Sequence, residues 1–477
     1  MSMSTEAPDV HDAGVPAQGK TPPRGPKGHP ILGVIPELRA DTLGFLTHVA
    51  KTYGDFVPLK VFMSTAYLLN HPKHIEHVLQ TNYRNYRKTK MMDKFKPILG
   101  EGLFISEDEL WTRQRKLVQP SFHRQRITAM AGTMIEALKE HVATWDKFAA
   151  SGEEFNLSLD MSYIALEVAL RTMFGNSLPR EEANAISDAL HVANEITAKR
   201  IWEMTRISEY LPTRENRAYR EAAGTLDSIV NRIIRDRRAE GARKDGAVGT
   251  SQDDLLGVLI DARDADTDEG MSDKQLRDEV LTLLLSGHET TAVMLGWAFL
   301  MLSQRPEILE RMRDEADLAL AGRDPVGEDI RNLDYTKRVV QEVARLKPPI
   351  WWVARTAISD DTICGENIKA GTTVLISQFL VHRNPSVWED PERFDPDRFE
   401  AERVVNRSKF AYLPFGAGPR VCVASAFATM EMQFLLAMML RRFDVQITSS
   451  LDPEMSNLIT LRPKYDIMAR VTPRRRH

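Results

Sequence analysis

The segment Phe415-Gly-Ala-Gly-Pro-Arg-Val-Cys422 places a cysteine after a glycine-rich loop and directly before a long apolar stretch, 424–440. We expect that stretch to form a buried helix with Cys422 at its N-terminus, where backbone N–H groups and the helix dipole stabilise a thiolate. The thiolate is the form of cysteine that binds metal ions. Gly416 and Gly418 would let the backbone approach a flat cofactor closely. A buried, unreactive cysteine is the alternative.

A second set of reactive side chains, Ser286-Gly-His-Glu-Thr-Thr291, interrupts an apolar run. The run Leu276–Leu302 is apolar nearly all round, which predicts a central buried helix, and Ser272–Gln275 is typical of an N-terminal capping box. Burying Glu289 is costly unless it is paired, so a carboxylate here favours a functional role over a simple helix kink. A zinc-protease motif is excluded because Ala292 stands where a second histidine is required.

The rest of the chain must position these groups, and its periodicity is mainly helical. Apolar residues recur at helical spacing over Ile127–Phe148, Leu159–Phe174 and Ile229–Arg238, with charged residues on the other faces. Strand signals are short, at 66–70 and at the β-branched stretch 372–377. The sequence therefore predicts a mainly α fold with a small β element.

Domain organisation follows from composition along the chain. Residues 1–20 combine acids, Pro, Gly and Ser without an apolar core, which predicts a disordered tail. We expect residues 21–477 to form one domain that opens with a stiff Pro- and Gly-rich segment. The polar stretches 241–253 and 264–270 interrupt helical patterns and are expected to be surface loops.

Global composition excludes several classes of protein. With 43% hydrophobic residues, 27% charged residues and a formal net charge of -4, the chain has no overall field that would attract nucleic acid. Two cysteines cannot form a disulfide framework in a chain of this length, which favours a reducing compartment. No apolar run reaches the length of a membrane span, so we expect a cytoplasmic protein.

The cysteine segment resembles the heme-binding signature of the cytochrome P-450 superfamily, Phe-x-x-Gly-x-Arg-x-Cys-x-Gly. Phe415, Gly418, Arg420 and Cys422 match it, whereas Ala424 stands where the family usually has glycine. The resemblance implies that Cys422 binds the iron of heme b, iron protoporphyrin IX. It also implies that Arg420 pairs with a heme propionate.

Other motifs, in the same order along the chain as in the family, extend the resemblance. The segment 286–291 is similar to Ala/Gly-Gly-x-Asp/Glu-Thr-Thr/Ser, in which acid and alcohol relay protons to iron-bound O2, and implies those catalytic roles for Glu289 and Thr290. Trp111 and Arg115 match Trp-x-x-x-Arg and, with Arg355, are implied to contact the heme propionates. The cofactor-binding set that results is Trp111, Arg115, Arg355, Phe415, Gly416, Arg420 and Cys422.

A charge network completes the set of motifs. Glu342 and Arg345 lie three apart and share a helix face, and they resemble the family's Glu-x-x-Arg motif. The segment 394–399 resembles Phe-x-Pro-x-Arg-Phe, which brings Arg398 to that pair as a structural residue. Arg393, in a near-duplicate segment, is the competing candidate for this third position.

The resemblance implies a triangular helical prism around heme, with a small β side lobe. It implies a monooxygenase that inserts one oxygen atom of O2 into an organic substrate by hydroxylation or epoxidation. Because the chain has no recognisable reductase region, electrons from NAD(P)H must come through a separate ferredoxin or flavodoxin and its reductase. Basic residues such as Arg113, Lys116 and Arg126 are candidates to attract that partner, although a solvated helix face explains them equally well.

Substrate contacts are expected, by the same resemblance, from 91–104, 285–291, 350–353 and 458–460. Their apolar residues, including the pair Trp351 and Trp352, favour a fatty acid, terpenoid or steroid-like substrate. Two alternatives stay open: a heme-thiolate sensor or carrier without turnover, and a peroxide-driven peroxygenase. His123 and His382 lack a partner at metal-ligand spacing, which favours structural roles.

Overall fold

A computed structural model describes residues 25–175, 179–201, 211–243, 254–457 and 459–474. The tail predicted over residues 1–20 lies outside the described residues, as does most of the predicted loop 241–253. The acidic stretch 264–270 contains no helix or strand, as predicted.

Helices form most of the described chain. Their bounds, in chain order, are α1 (Ile35–Ala40), α2 (Thr42–Tyr53), α3 (Pro72–Glu76), α4 (Lys96–Leu99), α5 (Asp108–Val118), α6 (Arg124–Ser151), α7 (Leu157–Phe174), α8 (Arg180–Ile201), α9 (Arg214–Arg243), α10 (Leu255–Asp261), α11 (Asp273–Leu302), α12 (Pro306–Leu320), α13 (Asp334–Leu346), α14 (Gln378–Val381), α15 (Ala401–Val404) and α16 (Ser425–Arg442). The three helical segments predicted from periodicity are confirmed, since they lie within α6, α7 and α9.

Strands are short and form small sheets beside the helices. They are β1 (Phe56–Val61), β2 (Ser64–Leu69), β3 (Tyr86–Lys88), β4 (Phe155–Asn156), β5 (Val353–Ala357), β6 (Asp361–Ile363), β7 (Glu366–Ile368), β8 (Thr373–Ile376), β9 (Phe443–Ile447), β10 (Met455–Asn457), β11 (Leu461–Pro463) and β12 (Met468–Pro473). The largest sheet has the order β1-β2-β8-β5-β3, another has the order β4-β12-β9, and β6-β7 and β10-β11 are two-stranded. Both predicted strands are confirmed as β2 and β8, which pair in parallel.

The central helix α11 begins at the predicted capping box. The Ser272 hydroxyl accepts from the Gln275 backbone N–H, and the Gln275 side chain accepts from the Ser272 N–H. These reciprocal bonds satisfy N–H groups that have no partner within the helix. The helix then runs for 30 residues through the interior and packs along α7. The predicted central buried helix is therefore confirmed.

Two apolar clusters meet along α11. The first half of the helix, through Leu284, packs with α7, α8, α9 and α10, while the second half, from Ala292, packs with α6, α12, α13 and α16. The segment 285–290 between them is partly accessible, although most of the helix on either side is buried. Phe427 of α16 packs against both clusters, so the helix that follows the cysteine loop lies at this junction.

No stretch of helix within the described ranges combines the length and hydropathy that crossing a bilayer requires.

Candidate active site

The Cys422 loop is shaped by its backbone. Gly416 and Gly418 both have positive φ, +74° and +69°, a conformation that favours glycine. The Cys422 N–H closes the loop by donating to the Phe415 carbonyl at 2.9 Å. A Cβ on Gly418 would lie 1.8 Å from the Leu79 carbonyl oxygen, whereas one on Gly416 would meet nothing closer than 4.0 Å. Packing against Leu79 therefore explains Gly418, and the predicted approach of the backbone to a cofactor does not. Of the two glycines, Gly416 alone fits the predicted approach to a cofactor.

The Cys422 side chain is accessible to solvent although its thiol is largely surrounded by protein. Burial raises the pKa of the thiol. The Ala424 backbone N–H and the charge of Arg115 oppose that rise by favouring the thiolate. Helix α16 begins only at Ser425, so the prediction that the cysteine stands at the helix N-terminus is corrected: it precedes the helix. Bound metal, which holds a coordinating thiol in its deprotonated form, would supply the remaining stabilisation.

Ala424, at the position where glycine is usual, needs no glycine here. Ala424 has a φ of -95° and a ψ of 12°, a conformation with negative φ that residues other than glycine adopt. Alanine is therefore accommodated at this position without a left-handed backbone.

Three partly buried basic side chains gather beside the loop. Burial, followed by the charges of Arg420 and Arg355, lowers the pKa of Lys88 to about 6. Burial and the charge of Arg420 lower the pKa of Arg355 to about 10. Glu107 is the carboxylate that opposes both shifts most strongly. This cluster of basic groups fits a ligand with two carboxylates, such as heme, whose negative charge would favour the protonated form of Lys88. The sequence motifs missed Lys88.

Three of the predicted heme-contacting residues lie beside the cysteine loop: Arg420, Trp111 and Arg115. The Arg420 guanidinium lies over the Trp111 ring, 4.4 Å from its centroid, and donates to the Ser106 carbonyl at 3.1 Å and to Glu107. Arg115 donates to the Val421 carbonyl at 2.6 Å, one residue before the cysteine. The structure thus brings these three predicted residues to the loop, and Arg355 shares the charge environment of Arg420.

The accessible middle of α11 is held by hydroxyl-to-carbonyl bonds. Thr290 Oγ1 donates to the Ser286 carbonyl at 2.7 Å, and Ser286 Oγ donates to the Thr282 carbonyl at 2.6 Å. Such bonds compete with the backbone hydrogen bonds of the helix and often accompany bends. Even so, the predicted polar interruption remains helical, because α11 continues through it without a break.

Neighbouring side chains of this segment point to different partners. Glu289 accepts a hydrogen bond from Thr460 Oγ1 at 2.6 Å, so the predicted acid is paired. His288 Nε2 lies 2.7 Å from Ser162 Oγ on α7, and burial lowers the pKa of this imidazole to about 4. His288 is consequently neutral near pH 7 and has a structural contact of its own.

The predicted Glu342–Arg345 pair is completely buried. Arg345 donates to both carboxylate oxygens of Glu342, at 2.7 and 2.8 Å. Arg398 Nε lies 3.6 Å from Glu342 Oε1, whereas Arg393 contributes its backbone carbonyl to Arg345. The Asp395 N–H also donates to Glu342. The geometry favours Arg398 over Arg393 as the third charged member of the network.

His382 connects this network to the cysteine loop. Its Nε2 accepts from the Leu413 N–H at 2.7 Å, and its Nδ1 lies 3.1 Å from the Arg345 carbonyl. Burial lowers the pKa of His382 to about 3, which keeps the ring neutral. Among the described residues, no three His, Cys, Asp or Glu side chains are grouped as metal ligands. The prediction of a structural role for His382 agrees with these contacts.

The proposed basic patch is largely neutralised. Arg113 pairs with Asp264 and Glu269, and Lys116 lies 2.8 Å from Asp266. These acids come from the loop 264–270, which packs over α5. The expectation that Arg113 and Lys116 attract an acidic partner is therefore corrected, because their charges are already paired.

Three of the four expected substrate-contacting ranges converge. Met92, Leu103, Leu285 and Ile459 are partly buried and pack against the same apolar cluster, while residue 458 lies outside the described residues. Trp351 does not join them, because it is buried in a separate core beside the β sheet. The expectation that Trp351 lines the substrate pocket is wrong.

Comparisons with known proteins agree with this geometry. A model of the family described as cytochrome P450 matches residues 23–469. Cyclooctat-9-en-7-ol 5-monooxygenase of Streptomyces melanosporofaciens is 33% identical over 90% of this chain and 92% of the relative. Pentalenene oxygenase of Streptomyces avermitilis is 29% identical over 94% and 97% of the two chains.

A solved structure gives the same result. The crystal structure of the cytochrome P450DA heme domain superposes with a TM-score of 0.83 and 27% identity, covering 94% of this chain and 97% of the other. The predicted fold and heme-thiolate class are thereby confirmed. The chain belongs to the cytochrome P450 family and is a heme-dependent monooxygenase.

Proposed function

We propose that this P450 inserts one oxygen atom of O2 into a C–H or C=C bond of an apolar, terpenoid-class substrate, and reduces the other atom to water with two electrons from NAD(P)H. The observation that carries the proposal is the junction on α11. Glu289 and Thr290 stand where the two apolar clusters separate, and Phe427, close to Cys422 in the chain, packs against both clusters. Phe427 thus connects the helix that follows the thiolate loop with the helix that carries the acid and the alcohol, which supports a shared site.

Heme b is the cofactor we propose for this site, with Cys422 as the ligand of its iron. When bound, the heme-thiolate iron supplies O2 activation, since the thiolate donates electron density and favours O–O cleavage. Arg355, Arg420 and Lys88 would neutralise the two propionates. The loop residues expected to pack against the ring are Phe415 and Gly416, and those that brace the loop are Trp111 and Arg115.

Glu289 and Thr290 carry proton transfer in this proposal. The Thr290 hydroxyl hydrogen is directed at the Ser286 carbonyl, which leaves the oxygen lone pairs able to accept a hydrogen bond from the site. Glu289, held by Thr460, is a carboxylate that can take up and release a proton. The pair therefore combines an acceptor with an acid on one helical turn.

A terpenoid substrate is supported by the lining of this site and by the names of two relatives. The partly buried residues that converge there are apolar: Met92, Leu103, Leu285 and Ile459. An apolar lining with few polar groups binds a hydrocarbon skeleton. Fatty acids and steroid-like compounds satisfy the same lining and are the competing outcomes of a binding screen.

Separate electron donors complete the proposal. A ferredoxin or flavodoxin with its NAD(P)H-dependent reductase would deliver the electrons. We propose a cytoplasmic location, where such partner proteins are present. We also propose that residues 21–477 form a single domain, which is supported by the family match over 23–469.

The test begins with the absorption spectrum of the purified protein after dithionite reduction and carbon monoxide addition. A strongly red-shifted Soret band that is lost in Cys422→Ser is expected. A panel of cyclic terpenes, fatty acids and steroids is then screened by substrate-induced spectral shifts, and hits are incubated with ¹⁸O₂, NADPH, a surrogate ferredoxin and its reductase. We expect a terpene product that carries one ¹⁸O atom.

Other outcomes would identify the alternatives. Binding without product under any electron supply would indicate a sensor or carrier. Product with hydrogen peroxide but none with the ferredoxin system would indicate a peroxygenase. Absence of the red-shifted band in the wild-type protein would contradict the assignment of Cys422 as the iron ligand.

A further inference from the structure

We propose that Thr460, beside the tip of the β10–β11 hairpin, is a positioning residue that fixes the Glu289 carboxylate for proton transfer. The inference rests on the proposed function, in which Glu289 relays protons. Thr460 lies in the range 458–460 that is expected to contact the substrate, but no motif gives it a role toward Glu289.

The contact itself is short and buried. Thr460 Oγ1 donates to Glu289 Oε1 at 2.6 Å, and the threonine is only 4% exposed. A hydrogen bond from a hydroxyl to a carboxylate is charge-assisted and stronger than one between neutral groups. Because threonine is β-branched, its hydroxyl has few directions in which to point. The buried donor therefore selects one orientation of the acid.

The hairpin is attached to the helix that carries the acid. Trp297, about two turns beyond Glu289 on α11, donates its Nε1–H to the Leu461 carbonyl at 2.9 Å. The Leu461 N–H donates to the Pro349 carbonyl, also at 2.9 Å. Thr460 immediately precedes Leu461, so both bonds limit its displacement relative to Glu289.

The two side chains next to Glu289 on α11 have partners of their own. Successive helical residues point about 100° apart. His288 is directed to Ser162 on α7, and Thr290 is directed to the Ser286 carbonyl. A glutamate without the Thr460 hydroxyl would populate several rotamers around its flexible side chain.

The hairpin also connects the acid with the lining of the site. Ile459 packs against the apolar cluster that includes Leu284, and the next residue, Thr460, holds Glu289. Ile459, which is expected to contact the substrate, and Thr460, which holds the acid, thus follow each other in one short segment. Displacement of Ile459 by a bulky substrate would be transmitted to the carboxylate.

Thr460→Val removes the donor at nearly constant volume, and Thr460→Ser retains it. Each is made in the wild-type and in the Glu289→Ala background, and thermal unfolding of the purified holoprotein is measured without substrate. We expect Thr460→Val to lower the unfolding midpoint by about 2 °C in the wild type and by less in Glu289→Ala, because the hydrogen bond exists only in the first. Equal decreases in both backgrounds would overturn the pairing.

Turnover provides the second measurement, with the panel compounds that shift the spectrum of the wild-type protein, NADPH, a surrogate ferredoxin and its reductase. Thr460→Val should lower product per NADPH about tenfold and raise hydrogen peroxide release at unchanged KM, and Thr460→Ser should restore most of the product. Normal product yield in Thr460→Val, or a Thr460→Ser variant as poor as Thr460→Val, would refute the positioning role. Absence of turnover in the wild-type protein would instead refute the proposed function on which that role depends.

Discussion

The Cys422 loop and the middle of α11 serve the same site but are fixed by different interactions. The loop depends on backbone conformation, on the contact between Gly418 and Leu79, and on a buried charge network that reaches it through His382. The α11 segment depends on single side-chain hydrogen bonds, such as the one from Thr460 to Glu289.

This difference separates stability from reactivity. Changes near the loop create steric clashes or uncompensated buried charges, so they should affect folding and cofactor binding together. Changes in the α11 segment remove one hydrogen bond from a partly accessible region and should leave the fold nearly intact.

Arg345→Ala should destabilise the protein most. The substitution leaves the Glu342 carboxylate buried without its bidentate partner, which typically costs about 3–5 kcal/mol. Unfolding by denaturant, followed by tryptophan fluorescence, measures the loss. Arg311→Ala is the control, because Arg311 is half-exposed in its pair with Asp397 and should cost under about 1 kcal/mol. Equal losses in the two variants would contradict the importance of burial.

Gly418→Ala should cause the next largest loss of stability. Its Cβ would overlap the Leu79 carbonyl oxygen, and its φ is positive, so strain and overpacking together should cost about 3 kcal/mol or more. Gly416→Ala has the same sign of φ but open space and should cost about 1–2 kcal/mol. Heme content per protein and the denaturation midpoint are measured for both. Similar values would show that backbone strain alone governs the loop.

Lys88 should give the cofactor-free protein a pH-dependent stability. Its folded pKa is lowered to about 6, whereas an unfolded lysine has a pKa of about 10.4. Between these values the unfolded state binds more protons, so the unfolding free energy rises with pH, by at most about 1.4 kcal/mol per pH unit from this residue.

Lys88→Met should flatten that rise, as measured by denaturant unfolding at several pH values. Lys90→Met, which replaces an exposed lysine of the same segment, is the control. Because Lys88 is expected to bind a propionate, Lys88→Met should also weaken heme retention. A Lys88→Met protein with an unchanged pH slope would refute the lowered pKa of Lys88.

Much of the fold could be predicted because its signals are local. Capping at Ser272, helical periodicity in α6 and α7, and β-branched residues in β8 each depend on neighbours in the chain. The cysteine loop and the Glu342–Arg345 pair were recognisable from residue types at short spacing.

Contacts between distant segments could not be predicted in the same way. Thr460 carries no signal of its own, since its role arises only when the hairpin is pinned to α11. Lys88 becomes unusual only when folding buries it with Arg355 and Arg420. The pairing of Arg113 and Lys116 carried no local signal, because the acidic loop that neutralises them lies far along the chain.

Thr290→Ala should have the smallest effect on stability and a large effect on chemistry. It removes one hydroxyl-to-carbonyl bond within α11, and alanine favours helix, so the unfolding free energy should change by less than about 1 kcal/mol. Product per NADPH should fall about tenfold or more, with hydrogen peroxide released instead, because the alcohol of the proton-transfer pair is missing. Thr291→Ala is the matched control: Thr291 is buried and next in sequence, so its loss should affect packing more than product yield. If Thr290→Ala lowered stability as much as Gly418→Ala, the distinction between the two regions would fail.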